Sequence, residues 1–302
     1  FPPDPCSFTA EHADVLSQEK PAVVSFHFGL PSAELFAQVR ATGAFILCSA
    51  TISNPGEHAQ RITGLPFTVV NDDGSPYGGK DFLFWNPPMV DMAKGTRRST
   101  NTESSQLFAE LIRRMIRTLA FVRSRRTAEL LYVYVRDQLR LSNPALAKRI
   151  MPYRASYLPE DRRAIERDLF EGKLLGLTTT NAMELGIDIG DLDATLMTGY
   201  PGTIASTWQQ AGRSGRRGER SLSVLIAQDN PLDQYLMRHP DAFFEKAHES
   251  ARISPTNPYV LKPHLLCAAY EAPLIMEDTE LFGPDLLWYA AELVEDGFLH
   301  VQ

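Results

Sequence analysis

After a Pro-rich, irregular stretch over residues 1–10, short apolar runs alternate along the chain with longer amphipathic ones. Ala22–Phe26 and Phe45–Cys48 read as buried strands. Between them Gly29-Leu30-Pro31 turns the chain, and Ser32 stands where a cap belongs, ahead of a helix to about Arg40. Together these make one β-α-β unit. Residues 71–81 (NDDGSPYGGKD) are dense in turn formers and predict a hairpin loop before a strand at Phe82–Trp85. Residues 91–104 are polar and read as a link. Then come a helix over Gln106–Ile116, a strand over Thr118–Val122, a helix from Ser124 to about Leu139, a linker through Pro144 and a helix over Pro159–Phe170. Strands at Leu174–Thr178 and Ala194–Thr198 flank a Gly-containing loop. A helix starts near Thr203, and Ser221–Ala227 is a further strand. Strands alternating with helices of this length predict an α/β fold, a parallel sheet covered by helices on both faces. From Pro255 onward the pattern turns helical and acidic, so a boundary falls near 250.

Composition narrows the class. The chain has 302 residues, 44% of them hydrophobic and 22% charged, which fits about two globular domains and excludes a disordered or collagen-like chain. No uncharged apolar run reaches the length of a membrane span, so no membrane partner is expected. Cys6, Cys48 and Cys267 lie far apart with no CxxC pair, which predicts neither a disulfide framework nor zinc and suits the cytoplasm. The scattered histidines show no ligand spacing, and no metal site is expected. The first residue is Phe rather than Met, without a basic-then-apolar leader, which reads as a fragment rather than a secreted precursor.

The net charge of −7 argues against a generic polyanion binder, but the charge is unevenly spread. Residues 91–173 hold about 18 Lys and Arg against about 10 Asp and Glu, whereas residues 228–302 hold about 4 against about 13. A basic middle of this kind is compatible with a phosphate-binding face or with a merely solvated helix surface.

Three strings carry candidate chemistry. Gln209-Gln210-Ala211-Gly212-Arg213-Ser214-Gly215-Arg216-Arg217-Gly218 packs three arginines and three glycines into its last seven positions. Guanidinium forks match phosphate oxygens in pairs, and glycine lets backbone approach a ligand. Arg213 and Arg216 are three apart, so on a helix they share a face. Two such cations suit the charge that develops in phosphoryl transfer. The second string, Thr178 to Gly190, runs from a strand into a hydroxyl-rich turn and places Asp188 between two isoleucines. Parallel sheets bind ligands at such strand ends. Asp188 there is either an acceptor for a ribose hydroxyl or a turn cap. The third, Ser49-Ala50-Thr51, gains weight only from its order relative to the others.

In that order Ser49-Ala50-Thr51, Leu119–Ser124, Thr180–Gly190 and Gln209–Arg217 resemble motifs III, IV, V and VI of superfamily 2 helicases. Tyr200–Trp208 and Asp233-Gln234-Tyr235 narrow the resemblance to the mitomycin-repair helicases, a branch near the Lhr-like ones. The resemblance runs from about Phe45 to the C-terminus. It implies RecA-like folding, ATP with Mg2+, single-stranded or forked DNA, translocation from 3′ to 5′ and a role in DNA repair. By position, Arg213 and Arg216 would reach ATP held on another lobe. Gln209, Asp188, Gly186 and Gly212 would adjoin nucleotide. Thr180, Asn181, Arg123 and Ser124 would touch the tracked strand, and Ser49 and Thr51 would link nucleotide state to strand grip. The implied division is 45–104 for the end of a first lobe with a linker, 105–250 for the second lobe and 251–302 for the start of a winged helix.

An ATPase also needs a phosphate cradle and a metal-binding acid. The nearest string, Gly74 to Lys80 followed by Asp81, lacks the hydroxyl and follows motif III, so it reads as a hairpin turn. No DExH box occurs. A missing first RecA-like lobe is therefore the expected partner, and the chain alone is expected to be inactive. Residues 1–44 instead resemble a βα unit of the FMN-dependent nitronate monooxygenases through Lys20–Pro31. That resemblance leaves a flavin oxidoreductase fragment as one alternative, and a non-catalytic nucleic-acid-binding module as another.

Overall fold

The computed structural model describes residues 14, 17–18, 23–25, 45–49, 51–70, 78–185, 192–215 and 220–301, and the side chains of all of these except 23–25, 45 and 46. β1 (Val23–Ser25) and β2 (Phe45–Leu47) pair in parallel, as the β-α-β reading requires; the helix expected between them lies outside the described residues. The helix Pro55–Thr63 follows.

The main sheet has six strands, all parallel: β3 (Lys80–Trp85), β6 (Thr118–Phe121), β7 (Ile150–Tyr153), β8 (Gly176–Thr179), β9 (Ala194–Thr198) and β10 (Ser221–Ile226), in the order β3-β10-β9-β6-β8-β7. β4 (Met89–Asp91) and β5 (Thr96–Arg97) form a separate antiparallel ribbon. β6, β8 and β9 are buried at every position, because helices cover both faces. One core gathers Leu119, Phe121, Tyr153, Leu177 and Met197; the other gathers Phe108, Ile112, Leu131, Val135 and Ile226. Gly176 marks how closely the helix Thr100–Arg113 approaches: a Cβ there would stand 2.7 Å from the Phe108 ring.

Three sequence expectations need correction. β3 belongs to the six-stranded sheet, paired along its whole length with β10, so this lobe begins well ahead of residue 105. β7 is a strand where only a linker and helix were expected. Its Pro152 offers no amide to a ladder, and β7 tolerates it because it is an edge strand, paired with β8 alone. The helix before the arginine motif ends at Ala211, so the helical spacing argument for Arg213 and Arg216 does not hold.

The helices Pro258–Glu271, Thr279–Phe282 and Leu286–Glu295 surround a small core of Leu261, Leu265, Leu286, Tyr289 and Leu293. The chain divides into two compact units, residues 1–56 with 66–250, and residues 57–65 with 251–302. Among the described residues no helix is long and apolar enough to cross a membrane.

Candidate nucleic-acid and nucleotide interface

Parallel strands end on one side of a sheet, and the loops leaving those ends converge. Here the ends of β6, β8 and β9 open onto a cavity of about 500 Å³ lined by Phe121, Arg123, Asn181, Glu184, Ser206 and Gln210, among others. Arg123 follows β6 and is half-exposed; its NH2 donates to the Tyr200 carbonyl at 2.5 Å. Ser124 is engaged as the N-cap of the helix Arg125–Ser142, its hydroxyl accepting from the Thr127 amide at 3.1 Å. Thr180 is half-buried and Asn181 exposed, in the turn that leaves β8. Arg125 and Arg126 are exposed and enter no ion pair among the described residues. Arg123 lines the cavity, and the two further cations follow it within three positions of the chain.

The arginine motif is tied to this cavity from behind. The helix Ile204–Ala211 is capped by Thr203, whose hydroxyl accepts from the Ser206 amide at 3.0 Å. Gly212 ends the helix, its amide donating to the Trp208 carbonyl at 2.7 Å. Gly215 then takes φ +80°, a conformation that favours glycine. Arg213 turns inward and is only 6% exposed. Its Nε donates to the Glu184 carbonyl at 3.0 Å, and its NH2 donates to the same oxygen. The Glu184 carboxylate in turn accepts from Ser206 Oγ at 2.8 Å and Gln210 Nε2 at 2.9 Å. Glu184 therefore joins the turn after β8 to the arginine motif through both its backbone and its side chain. Sequence reasoning missed it, and its only signal was a charged residue one place before an apolar run.

Gln209 reaches 158 positions back in sequence, its Nε2 donating to Thr51 Oγ1 at 2.5 Å. The structure thus brings together two strings that sequence order alone had linked. Ser49 lies half-buried just after β2. Asp188, Gly186 and Arg216 fall outside the described residues. Trp208 packs against Phe82, Phe243 and Phe244 at centroid distances of 5.4, 5.6 and 6.2 Å.

Lys80, from the string with cradle-like spacing, is a strand residue. Its Nζ donates to the carbonyls of Ala211 at 2.7 Å and Ser214 at 2.9 Å, and lies 2.9 and 3.0 Å from the hydroxyls of Ser214 and Ser221. Burial pulls its pKa down to about 8. Tyr200, just past the end of β9, is pushed up to about 12 by burial and by the nearby Glu249 and Asp233 carboxylates, so its phenol stays neutral. Among the described residues no cluster of three or more His, Cys, Asp or Glu side chains has the arrangement of a metal site.

Comparison with known proteins places this geometry. Residues 103–218 match the helicase conserved C-terminal domain, and residues 253–300 match the winged helix domain of the ATP-dependent helicase HRQ1. The chain is 45% identical over 260 residues to the uncharacterized ATP-dependent helicase YprA of Bacillus subtilis, covering 85% of this chain and 34% of that protein. It is 39% identical over 262 residues to the ATP-dependent helicase hrq1 of Schizosaccharomyces pombe, covering 84% of this chain and 25% of that one. The crystal structure of the DUF1998 helicase MrfA bound to DNA and AMPPNP superposes with a TM-score of 0.73 at 41% identity, covering 96% of this chain and 38% of that one. The chain therefore spans well under half the length of each relative. Its parallel six-stranded sheet is the RecA-like second lobe of such enzymes, and the chain belongs to the superfamily 2 helicases, in their Lhr-like branch.

Proposed function

We propose that this chain is the strand-gripping, arginine-bearing half of an ATP-driven DNA translocase that serves DNA repair. The observation that carries the reading is the joining of two sites through Glu184. Its carbonyl holds Arg213 of the nucleotide-facing motif, while its carboxylate lines the cavity that Arg123 and Asn181 share. Hydrogen bonds on both the backbone and the side chain of one residue give the two sites a continuous physical link, which a motor lobe requires. MrfA, similar over nearly all of this chain, has been captured with DNA and AMPPNP. In this reading Thr180, Asn181, Arg123 and Ser124 face the phosphates of a single strand. Arg216, Gln209, Gly212, Gly186 and Asp188 face ATP, while Arg213, expected from sequence to reach the nucleotide as well, is turned inward and holds the motif to the turn after β8. Ser49 and Thr51 transmit between the lobes through the Gln209 contact. The phosphate cradle and the Mg2+ site belong to a first RecA-like lobe outside these 302 residues.

The test is fluorescence anisotropy of a labelled dT20 strand titrated with the chain at several salt concentrations. Contacts to two or three phosphates predict a slope of log affinity against log salt between about −1.4 and −2.1, at about −0.7 per phosphate for single strands. Arg123→Ala should make that slope shallower by about one contact. Absence of binding at low salt, or binding indifferent to salt, would defeat the reading.

A further inference from the structure

Asp233-Gln234-Tyr235 helped to place the chain in its family, yet nothing above assigns these residues a task. Asp233 is 2% exposed and stands in the first turn of the helix Pro231–Arg238. One carboxylate oxygen, Oδ2, accepts from the Gln228 amide at 2.8 Å and the Tyr200 amide at 3.1 Å. Those amides lie just past the ends of β10 and β9, so one oxygen staples two strand ends. Gln234 extends the staple to the segment after β3, exchanging two 3.1 Å hydrogen bonds with the Asn86 amide group.

The other oxygen, Oδ1, is buried and has no hydrogen-bond partner. Its nearest cation is the Arg123 guanidinium, with NH2 at 3.9 Å. A buried, unsatisfied carboxylate oxygen is costly, and a neighbouring guanidinium relieves that cost only while it stays close. Arg123 is half-exposed at the cavity mouth and already donates to the Tyr200 carbonyl. Both contacts are made by the same NH2 group, and half of the side chain remains open to solvent. An arginine tethered in this way loses less rotamer freedom when a phosphate arrives than one that sweeps freely.

We propose that Asp233 is a positioning residue: its inward staple fixes the strand ends, and its second oxygen holds the Arg123 guanidinium at the cavity mouth, aimed at a strand phosphate. This rests on the nucleic-acid reading for what Arg123 meets, but the tether is a property of the chain by itself. A purely structural Asp233 would act through the two amides and be indifferent to Arg123.

Asp233→Asn separates the two, since an amide oxygen still accepts from the Gln228 and Tyr200 amides while the charge facing Arg123 is gone. Asp233→Ser is a second uncharged variant, and whichever of the two retains the wild-type circular dichroism carries the test. The first readout is the 15N–1H signal of Arg123 Nε, assigned by its loss in Arg123→Ala. It should stand apart from the exposed arginines in the wild type and merge with them in the Asp233 variant. The second readout is dT20 anisotropy. The Asp233 variant should weaken binding about fivefold. Adding Arg123→Ala to it should then cost nothing beyond Arg123→Ala alone. An unmoved Arg123 signal, losses that simply add, or tighter binding after the charge is removed would overturn the assignment. If the wild type fails to bind dT20, the nucleic-acid reading falls and the Arg123 signal alone decides the tether.

Discussion

Lys80 shows how one residue can satisfy a motif by spacing and serve another purpose. It closes a Gly-to-Lys interval of the right length for a phosphate cradle, but it sits on a β-strand with its ammonium against the end of the helix Ile204–Ala211. A cation belongs at a helix C-terminus, where carbonyls lack partners. Here it also fixes Ser214, next to Arg213. Replacing Lys80 with Met keeps the stem and leaves these acceptors unpaired, at a cost of about 1–3 kcal/mol. The pH dependence has a definite sign. The folded pKa of about 8 lies below the unfolded value of 10.5, so above about 8 the unfolded chain binds the extra proton. Wild-type stability should therefore rise relative to Lys80→Met between about pH 8 and 10.5, as urea denaturation at a series of pH values would measure; a constant difference would show the ammonium is not burdened by burial. The arginines and the hydroxyl caps Ser124 and Thr203 were legible in the sequence because each signal is local. Glu184 and Asp233 were not, because their partners lie 22–29 and 5–110 positions away and exist only once the strand ends converge.

At the scale of elements, the helix Ile204–Ala211 depends on outside help. Eight residues are too few for a helix to persist in water by propensity alone. Its N-terminus is held twice, by Thr203 and by the Glu249 carboxylate, which accepts from the amides of Ile204 at 2.6 Å and Ala205 at 2.9 Å. Burial works against the Glu249 charge, but those amides outweigh it and hold the carboxyl below its ordinary pKa. A lowered carboxyl pKa contributes stability that is complete above the unfolded value and fades as pH falls through the folded one. Glu249→Gln should thus cost about 0.5–1 kcal/mol at pH 7, a small figure because the side chain is exposed. The difference from wild type should close as the medium is brought below pH 4, and thermal melts at pH 7 and pH 3 would measure it; an equal loss at both would assign the effect to packing. Most elements were legible because their periods are strong and their ends are marked, as at Pro159–Phe170. β7 was hidden by a proline that only an edge position permits, and the place of β3 was hidden because sheet order is set by crossovers that no local pattern records.

In the proposed reading the whole molecule supplies one wall of a two-walled device. Superfamily 2 chemistry requires a phosphate cradle and metal-binding acid on one wall and arginines on the other, with ATP between. These 302 residues contain no GxxxxGK[ST] string, while the matched helicase C-terminal domain at 103–218 includes the arginine motif. Arginines supplied across a cleft stabilise transition-state charge and are worth about 10³–10⁵ in rate, but they position nothing unless the triphosphate is held opposite them. The chain alone should therefore turn over no MgATP, with or without dT20, in a phosphate-release assay. Supplying the phosphate-cradle lobe of a relative, fused ahead of residue 45, should bring turnover that rises with dT20. In that fusion Arg216→Ala should lower kcat by at least about 10³ with little change in KM, because a group aimed at transition-state charge does not hold the ground state. Arg213→Lys should fail nearly as badly for a different reason: a single ammonium cannot reproduce the two-pronged grip on the Glu184 carbonyl that joins the arginine motif to the strand cavity. That variant should also uncouple the halves, leaving whatever turnover survives unresponsive to dT20. Turnover that stays fully stimulated by dT20 in Arg213→Lys would place the transmission between nucleotide and strand somewhere other than Glu184.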